Sequence, residues 1–348
     1  ADPRFSSIVC VTGQHRQMLA DVMDVFAMKA DVDLALMKDD QTLNDIVAGV
    51  IAGVDRVIVE TRPDVMLVQG DTASAMAASL AAFFRGVKVG HVEAGLRTGN
   101  LYSPWPEEAN RRLTGVVATL HFPPTERARA ALLAEGVDPA RVVLTGNTVI
   151  DALHLMVDLL ARPGPLRDGL EREFSWLDPG RRMILVTGHR RESFGRGFLN
   201  ICEALRDIAR RDDVEIVYPV HLNPNVQKPV RDILAGLPNV HLIPPLDYRR
   251  FVWLMSRCHF LITDSGGIQE EAPAIKKPVL VMRDTSERME AIEAGVARLV
   301  GTEREAIVAA ANELLDDPAV FAGMAAGASP YADGKATARI LDALARAG

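Results

Sequence analysis

Short runs of apolar, β-branched residues recur along the chain, separated by longer stretches in which apolar positions return every three or four residues. The spans 7–12, 65–69, 87–92, 118–122, 142–145, 183–187, 215–220, 240–243, 260–263, 279–282 and 297–300 read as strands. Between them, 73–84, 108–117, 127–135, 197–210, 248–256 and 307–315 carry helical period. Strands apolar on both faces and alternating with helices describe a parallel sheet covered on both sides. The pattern runs through the chain twice, so the expected class is α/β, repeated. Pro163-Gly164-Pro165 and Pro179-Gly180 punctuate a polar stretch and place a break between residues 147 and 180.

Composition narrows the function classes. The 348 residues suffice for two domains, each with its own core. A hydrophobic share of 48% with 24% charged residues is that of a folded globular chain and excludes disorder. The net charge of −7 disfavours a nucleic-acid partner. No apolar run approaches the roughly 18 residues of a membrane span, and no charged-then-apolar leader opens the chain, so the expectation is a soluble, cytoplasmic protein without a membrane partner. Cys10, Cys202 and Cys258 stand far apart with no CxxC pair, which argues against a disulfide frame or a zinc site.

Polar residues and glycines gather at the carboxyl ends of the predicted strands, as in Gln69-Gly70-Asp71-Thr72, His91-Val92-Glu93-Ala94-Gly95, Thr187-Gly188-His189-Arg190 and Thr263-Asp264-Ser265-Gly266-Gly267. Ligands of open parallel sheets bind at those ends, and two such sheets facing each other would line a cleft. Ser265-Gly266-Gly267 precedes a helix and leaves backbone N–H groups where a phosphate can dock, with Glu270 and Glu271 one turn on, in reach of ribose hydroxyls. The plainer role for these two acids is to complement the helix dipole. Neither G-x-G-x-x-G after a strand nor G-x-x-x-x-G-K-[ST] occurs, which disfavours dinucleotide redox chemistry and P-loop hydrolysis and makes a bound nucleotide part of the substrate. Asp71, Glu93, Glu107 and His189 are the titratable candidates for acid–base work; Asp71 reads equally as a helix cap and Glu107 as a first-turn residue. No metal is expected, because the histidines come from separate strands without i, i+4 spacing.

Longer strings then become specific. Gly90-His91-Val92-Glu93-Ala94-Gly95-Leu96-Arg97-Thr98-Gly99, Ser103-Pro104-Trp105-Pro106-Glu107-Glu108-Ala109-Asn110-Arg111, Thr187-Gly188-His189-Arg190-Arg191-Glu192-Ser193, Tyr218-Pro219-Val220-His221-Leu222-Asn223-Pro224 and Thr263 through Pro273 closely resemble the non-hydrolysing UDP-N-acetylglucosamine 2-epimerase family. The resemblance runs from about Ile8 to the final helix. It implies a glycosyltransferase-B-like α/β fold: two Rossmann-like domains facing a cleft, over 1–146 and 147–333, with a C-terminal helix over 334–348 packing back on the first. It also implies a homodimer, no cofactor, and reversible inversion at C2 between UDP-N-acetylglucosamine and UDP-N-acetylmannosamine through a glycal and enzyme-held UDP.

Residue by residue, the resemblance makes Asp71, Glu93 and Glu107 the acid–base carboxylates and puts His189 near the diphosphate. It makes Ser265, Gly266 and Gly267 the phosphate turn, Glu271 the ribose ligand, Arg288 a substrate-binding arginine and Phe251 part of the uracil pocket. Positions matching an activator site in some members are Gln14, Gln17, Arg190, Glu192 and His221, although Asp40 stands where those members carry an arginine. Met289 replaces a usual proline after Arg288. Family members begin a strand and a Gly-Thr-Arg-Pro-Glu loop earlier, so such a segment is expected to precede Ala1. Alternatives on the same fold are a UDP-sugar transferase and a non-catalytic nucleotide-sugar binder.

Overall fold

Runs such as Met183-Ile184-Leu185-Val186 and Phe260-Leu261-Ile262-Thr263 are buried throughout, so each can only be an inner strand of a sheet covered on both faces. The computed structural model describes residues 2–14, 16–38, 40–286, 288–331 and 333–347, without the side chains of residues 16, 17, 18 and 21. The chain divides into two compact units, one of residues 1–148 with 334–348, the other of residues 149–333.

The first unit holds strands β1 (Cys10–Val11) and β2 (Val32–Asp33), paired with each other, and β3 (Val65–Gln69), β4 (Lys88–Val92) and β5 (Leu120–Phe122), which form a parallel three-stranded sheet in that order. Helix Leu43–Thr61 starts at a capping box, where Thr42 and Asp45 exchange hydrogen bonds, and presents Val50, Val54 and Ile58 to Val68 and Val89. The alanine-rich helix Ala73–Phe84 lies in the same core, its small side chains permitting close approach. Helix Ala336–Ala347 belongs to this unit: Ile340, Ala343 and Leu344 pack with Val92 and Phe122, and Lys88 donates to the Ala347 carbonyl at 2.6 Å.

The second unit is one parallel six-stranded sheet of β6 (Arg182–Thr187), β7 (Val214–Pro219), β8 (Val240–Ile243), β9 (Phe260–Thr263), β10 (Val279–Val281) and β11 (Ala297–Leu299). Its order, β11-β10-β9-β6-β7-β8, is that of a doubly wound Rossmann sheet. The chain leaves β6 in one direction toward β8 and returns to β9 on the other side. The switch point therefore lies between β6 and β9, where the loops after both strands diverge and leave room for a ligand.

Three expectations are corrected. The span 142–145 is not a strand; Val142 makes one isolated parallel bridge to His121. The first strand shrinks from 7–12 to Cys10–Val11, and its partner β2 was not foreseen. Each contributes only two residues of ladder, too short for periodicity to set its bounds.

Candidate active site

At the C-terminal edge of the first unit's sheet, Gly70 ends β3 with a positive φ and donates its N–H to Val92 O at 3.0 Å. Asp71 follows. It does not cap the next helix; Thr72 does, its side chain accepting from the Ala75 N–H. Asp71 is thereby free for Arg111, whose guanidinium lies 2.8 Å away, while Asn110 donates to the Asp71 carbonyl at 2.9 Å. Both partners sit on helix Glu107–Val117, which is how that helix docks on the Gly70 turn.

Glu93, at the end of β4, has φ +62, a left-handed conformation that a β-carbon disfavours by about 1–3 kcal/mol. The strain turns its carboxylate over Gly70: an added β-carbon there would meet Glu93 Oε2 at 3.5 Å. Glu107 opens its helix as the first-turn residue, and its Oε2 is buried with no hydrogen-bond partner among the described residues. The structure thus brings Asp71 and Glu93 to one sheet edge, and Glu107 opens the helix that docks there.

Glu108 is the hub beneath them. It is 0% exposed and accepts from the Thr98 N–H at 3.0 Å, the Gly99 N–H at 3.3 Å, Arg111 at 3.0 Å and Arg112 at 3.2 Å. Burial alone would raise this carboxyl; the N–H donors and arginines outweigh it and hold the group below its ordinary range. His91 and His121 are register partners on β4 and β5, and burial pushes each down to about 4, so both are neutral at pH 7. His91 Nε2 lies 2.8 Å from Gly70 O and steadies the turn that carries Asp71.

In the second unit, the loops at the switch point carry His189 after β6 and Asp264 after β9. Asp264 Oδ2 accepts the backbone N–H groups of His189 and Arg190 at 2.6 and 2.7 Å. The His189 ring is 44% exposed and stacks on His221, with centroids 5.2 Å apart and planes 14° apart. Glu192 pairs with Arg283 at 2.7 Å. Arg190 and His221 therefore lie around His189. Gln14 belongs to the first unit, where it accepts from Ser74 Oγ at 2.6 Å; the Gln17 side chain lies outside the described residues.

Helix Gly266–Ala274 begins at Ser265, whose side chain makes no capping bond, so its first N–H groups stay open to an anion. Thr187 and Thr263 share a 2.5 Å hydroxyl contact, and Thr263 Oγ1 accepts the Ser265 N–H at 3.0 Å, fixing the turn. Arg288 is held by Glu270 and by Ser286 Oγ, which bonds Gln269 on the same helix. Glu271 is buried beside Glu270, and burial with that neighbouring charge pushes it up to about 7. Phe251 is half-buried in helix Tyr248–Arg257. Among the described residues, no group of three or more His, Cys, Asp or Glu side chains converges as a metal-ligand set, and no helix is long and apolar enough to cross a membrane.

Reading the sequence missed Asp264, Glu108, Arg111 and Asn110 as members of the two sites. Asp264 and Glu108 each neighbour a residue singled out; what was not legible is that each is buried and accepts the N–H groups of another loop.

Two parallel-sheet units, one bearing clustered carboxylates and one an open helix N-terminus at a Rossmann switch point, define a nucleotide-sugar enzyme of the glycosyltransferase-B-like class. The UDP-N-acetylglucosamine 2-epimerase family is matched over residues 1–345, and the chain belongs to it. It is 54% identical over 344 residues to the UDP-N-acetylglucosamine 2-epimerase of Escherichia coli, covering 99% of this chain and 92% of that protein. A probable UDP-N-acetylglucosamine 2-epimerase of Ralstonia nicotianae is likewise 54% identical, over 345 residues, with the same coverage. The crystal structure of UDP-GlcNAc 2-epimerase from Neisseria meningitidis bound to UDP-GlcNAc superposes with a TM-score of 0.89 at 46% identity, covering 99% of this chain and 93% of that one.

Proposed function

We propose that this chain catalyses the reversible inversion of C2 in UDP-N-acetylglucosamine, giving UDP-N-acetylmannosamine. The observation that carries the reading is Asp71 and Glu93 on one sheet edge, with Glu107 opening the helix docked on it, in a chain of this family. The C2 proton is weakly acidic because no carbonyl adjoins that carbon, so direct deprotonation is slow. Elimination avoids the carbanion: a carboxylate takes the C2 proton, the C1–O bond to UDP breaks, and C1=C2 forms. UDP then re-adds through its oxygen at C1, and a carboxylic acid returns a proton to the other face of C2. No electrons are gained or lost, and the chemistry calls for bases and acids rather than a redox cofactor.

The leaving diphosphate is assigned to the open N–H groups of Gly266 and Gly267, to the Ser265 hydroxyl and to Arg288, with His189 donating to or stabilising it. Glu271, near half-protonation at neutral pH, offers ribose hydroxyls both a donor and an acceptor. Phe251 is assigned to the uracil. Arg190, Glu192, His221 and Gln14 are candidates for an activating second nucleotide sugar. The free cysteines suit a reducing, cytoplasmic setting.

We assign a homodimer to the helical face of the first unit, where Phe84 is 71% and Val116 80% exposed and Val59, Phe83 and Leu113 are also uncovered. Phe84→Glu with Val116→Glu should shift the protein to monomer by light scattering. The activity test is incubation with UDP-N-acetylglucosamine in deuterated water. A mixture of the two epimers with deuterium at C2 is expected; unchanged, unlabelled substrate with every acceptor omitted would exclude the reading.

A further inference from the structure

We infer that Asp264 is a positioning residue for His189, keeping that ring's proton on Nδ1 and leaving Nε2 as the atom that exchanges; the inference rests on the reading above that His189 acts on the leaving group. Asp264 is 1% exposed. One of its oxygens is fully used, since Oδ2 takes the His189 and Arg190 N–H groups and fixes the start of that loop. The other, Oδ1, is buried with no hydrogen-bond partner among the described residues. A desolvated carboxylate oxygen without a donor is expensive, and such groups are kept where a donor arrives in the working state.

His189 Nδ1 is that donor. It faces Asp264 Oδ1 at 3.6 Å, longer than a hydrogen bond and within the reach of a small ring rotation. Contacts of this kind are commonly loose before a ligand binds and tighten in the complex. The backbone is already anchored: Tyr218 Oη donates to Gly188 O at 2.9 Å, and a β-carbon on Gly188 would meet that hydroxyl at 3.1 Å. Only the ring is left to move. Its face is covered by His221, whose own Nδ1 accepts the Asn223 N–H at 3.1 Å and whose proton is therefore on Nε2 when neutral. The two stacked rings thus carry their protons on different nitrogens, and the choice at His189 falls to Asp264. A carboxylate behind an imidazole serves this purpose by selecting the tautomer rather than by moving the proton itself.

The test uses the full chain with ¹⁵N-labelled histidine, in which ring-nitrogen shifts at alkaline pH report each tautomer. The His189 signal is assigned by its loss in His189→Gln. Native His189 is expected with its proton on Nδ1. Asp264→Asn keeps an acceptor for the two backbone N–H groups and offers the ring an N–H instead, so the tautomer should flip to Nε2–H. With that flip, kcat should fall at least about tenfold while KM and UDP affinity stay within about threefold. A native His189 protonated on Nε2 overturns the inference without any variant, so a misfolded Asp264→Asn leaves the question answerable. A flip with unchanged kcat supports the positioning and overturns the role given to His189.

Discussion

In the first unit, the candidate acid–base side chains stand in a web of opposed charges: Asp71 on Arg111, Arg111 on the buried Glu108, and Glu108 on the loop that delivers Glu107. In the second, the candidate anion site is backbone, the N–H groups opening helix Gly266–Ala274, with Arg288 tied to Glu270 beside it. The contrast follows from the work assigned to each. Proton transfer needs carboxylates set at defined angles, and charge-assisted hydrogen bonds give such direction. Diphosphate binding needs positive potential over an area, which a helix terminus supplies without long side chains to order. Lesions in the first unit's carboxylates should therefore be read in kcat, and lesions at the open helix N-terminus of the second unit in affinity.

Glu93→Gln and Glu107→Gln should have the largest effect, lowering kcat by about 10²–10⁴-fold with UDP affinity in calorimetry little changed. A parallel loss of UDP binding would erase the contrast. Next is Gly267→Val, whose β-carbon meets only Ser265 Oγ, at 4.0 Å, so the fold should accept it while the side chain covers the anion site. UDP affinity should weaken about tenfold or more, with folding by circular dichroism unchanged. Glu108→Gln removes charge from a fully buried hub with two arginine partners. It should destabilise the first unit by about 3 kcal/mol, seen as faster hydrogen exchange in peptides from residues 1–148 and not in those from 149–333.

The last contrast is in pH dependence, where the two units run in opposite directions. Folded His91 and His121 titrate near 4, below the ordinary 6.5, so acid favours the unfolded chain; their contribution is full above about pH 6.5 and is lost as pH falls toward 4. Folded Glu271 titrates near 7, above the ordinary 4.5; its contribution is full below about pH 4.5 and is lost as pH rises toward 7. Hydrogen exchange resolved by unit should show the first loosening on acidification and the second on alkalinisation, and Glu271→Gln should flatten only the latter.

Local pattern carried most of the architecture. Strands β3, β8 and β9 and helix Ala73–Phe84 fall on their expected spans, because each is a long or uniformly apolar segment whose period admits one reading. β2 was illegible, and β1 is shorter than its expected span, for the opposite reason: each is defined by its partner rather than by its own pattern. Among site residues, Asp71, Glu93, His189 and the Ser265 turn were visible as polar residues at strand ends, and Glu107 as a first-turn residue of a helix. Thr72 displaced Asp71 from the cap because its hydroxyl reaches the Ala75 N–H, a competition that composition does not decide.

The sequence by itself determined the α/β class, the family, and which loops bear chemistry, because those follow from periodicity and from strings of contiguous residues. Only the tertiary structure decided what holds each group. Asp71 and Arg111 are 40 residues apart, and His189 and Asp264 are 75 apart. The second pair meets because parallel strands β6 and β9 bring their carboxyl ends to one edge, and the first because a helix docks on the turn after β3, whatever the length of chain between them. Whether Asp264 Oδ1 has a partner, or Glu93 adopts a left-handed backbone, is set by burial and by neighbours from other elements. That information belongs to the packing, not to any segment of the chain.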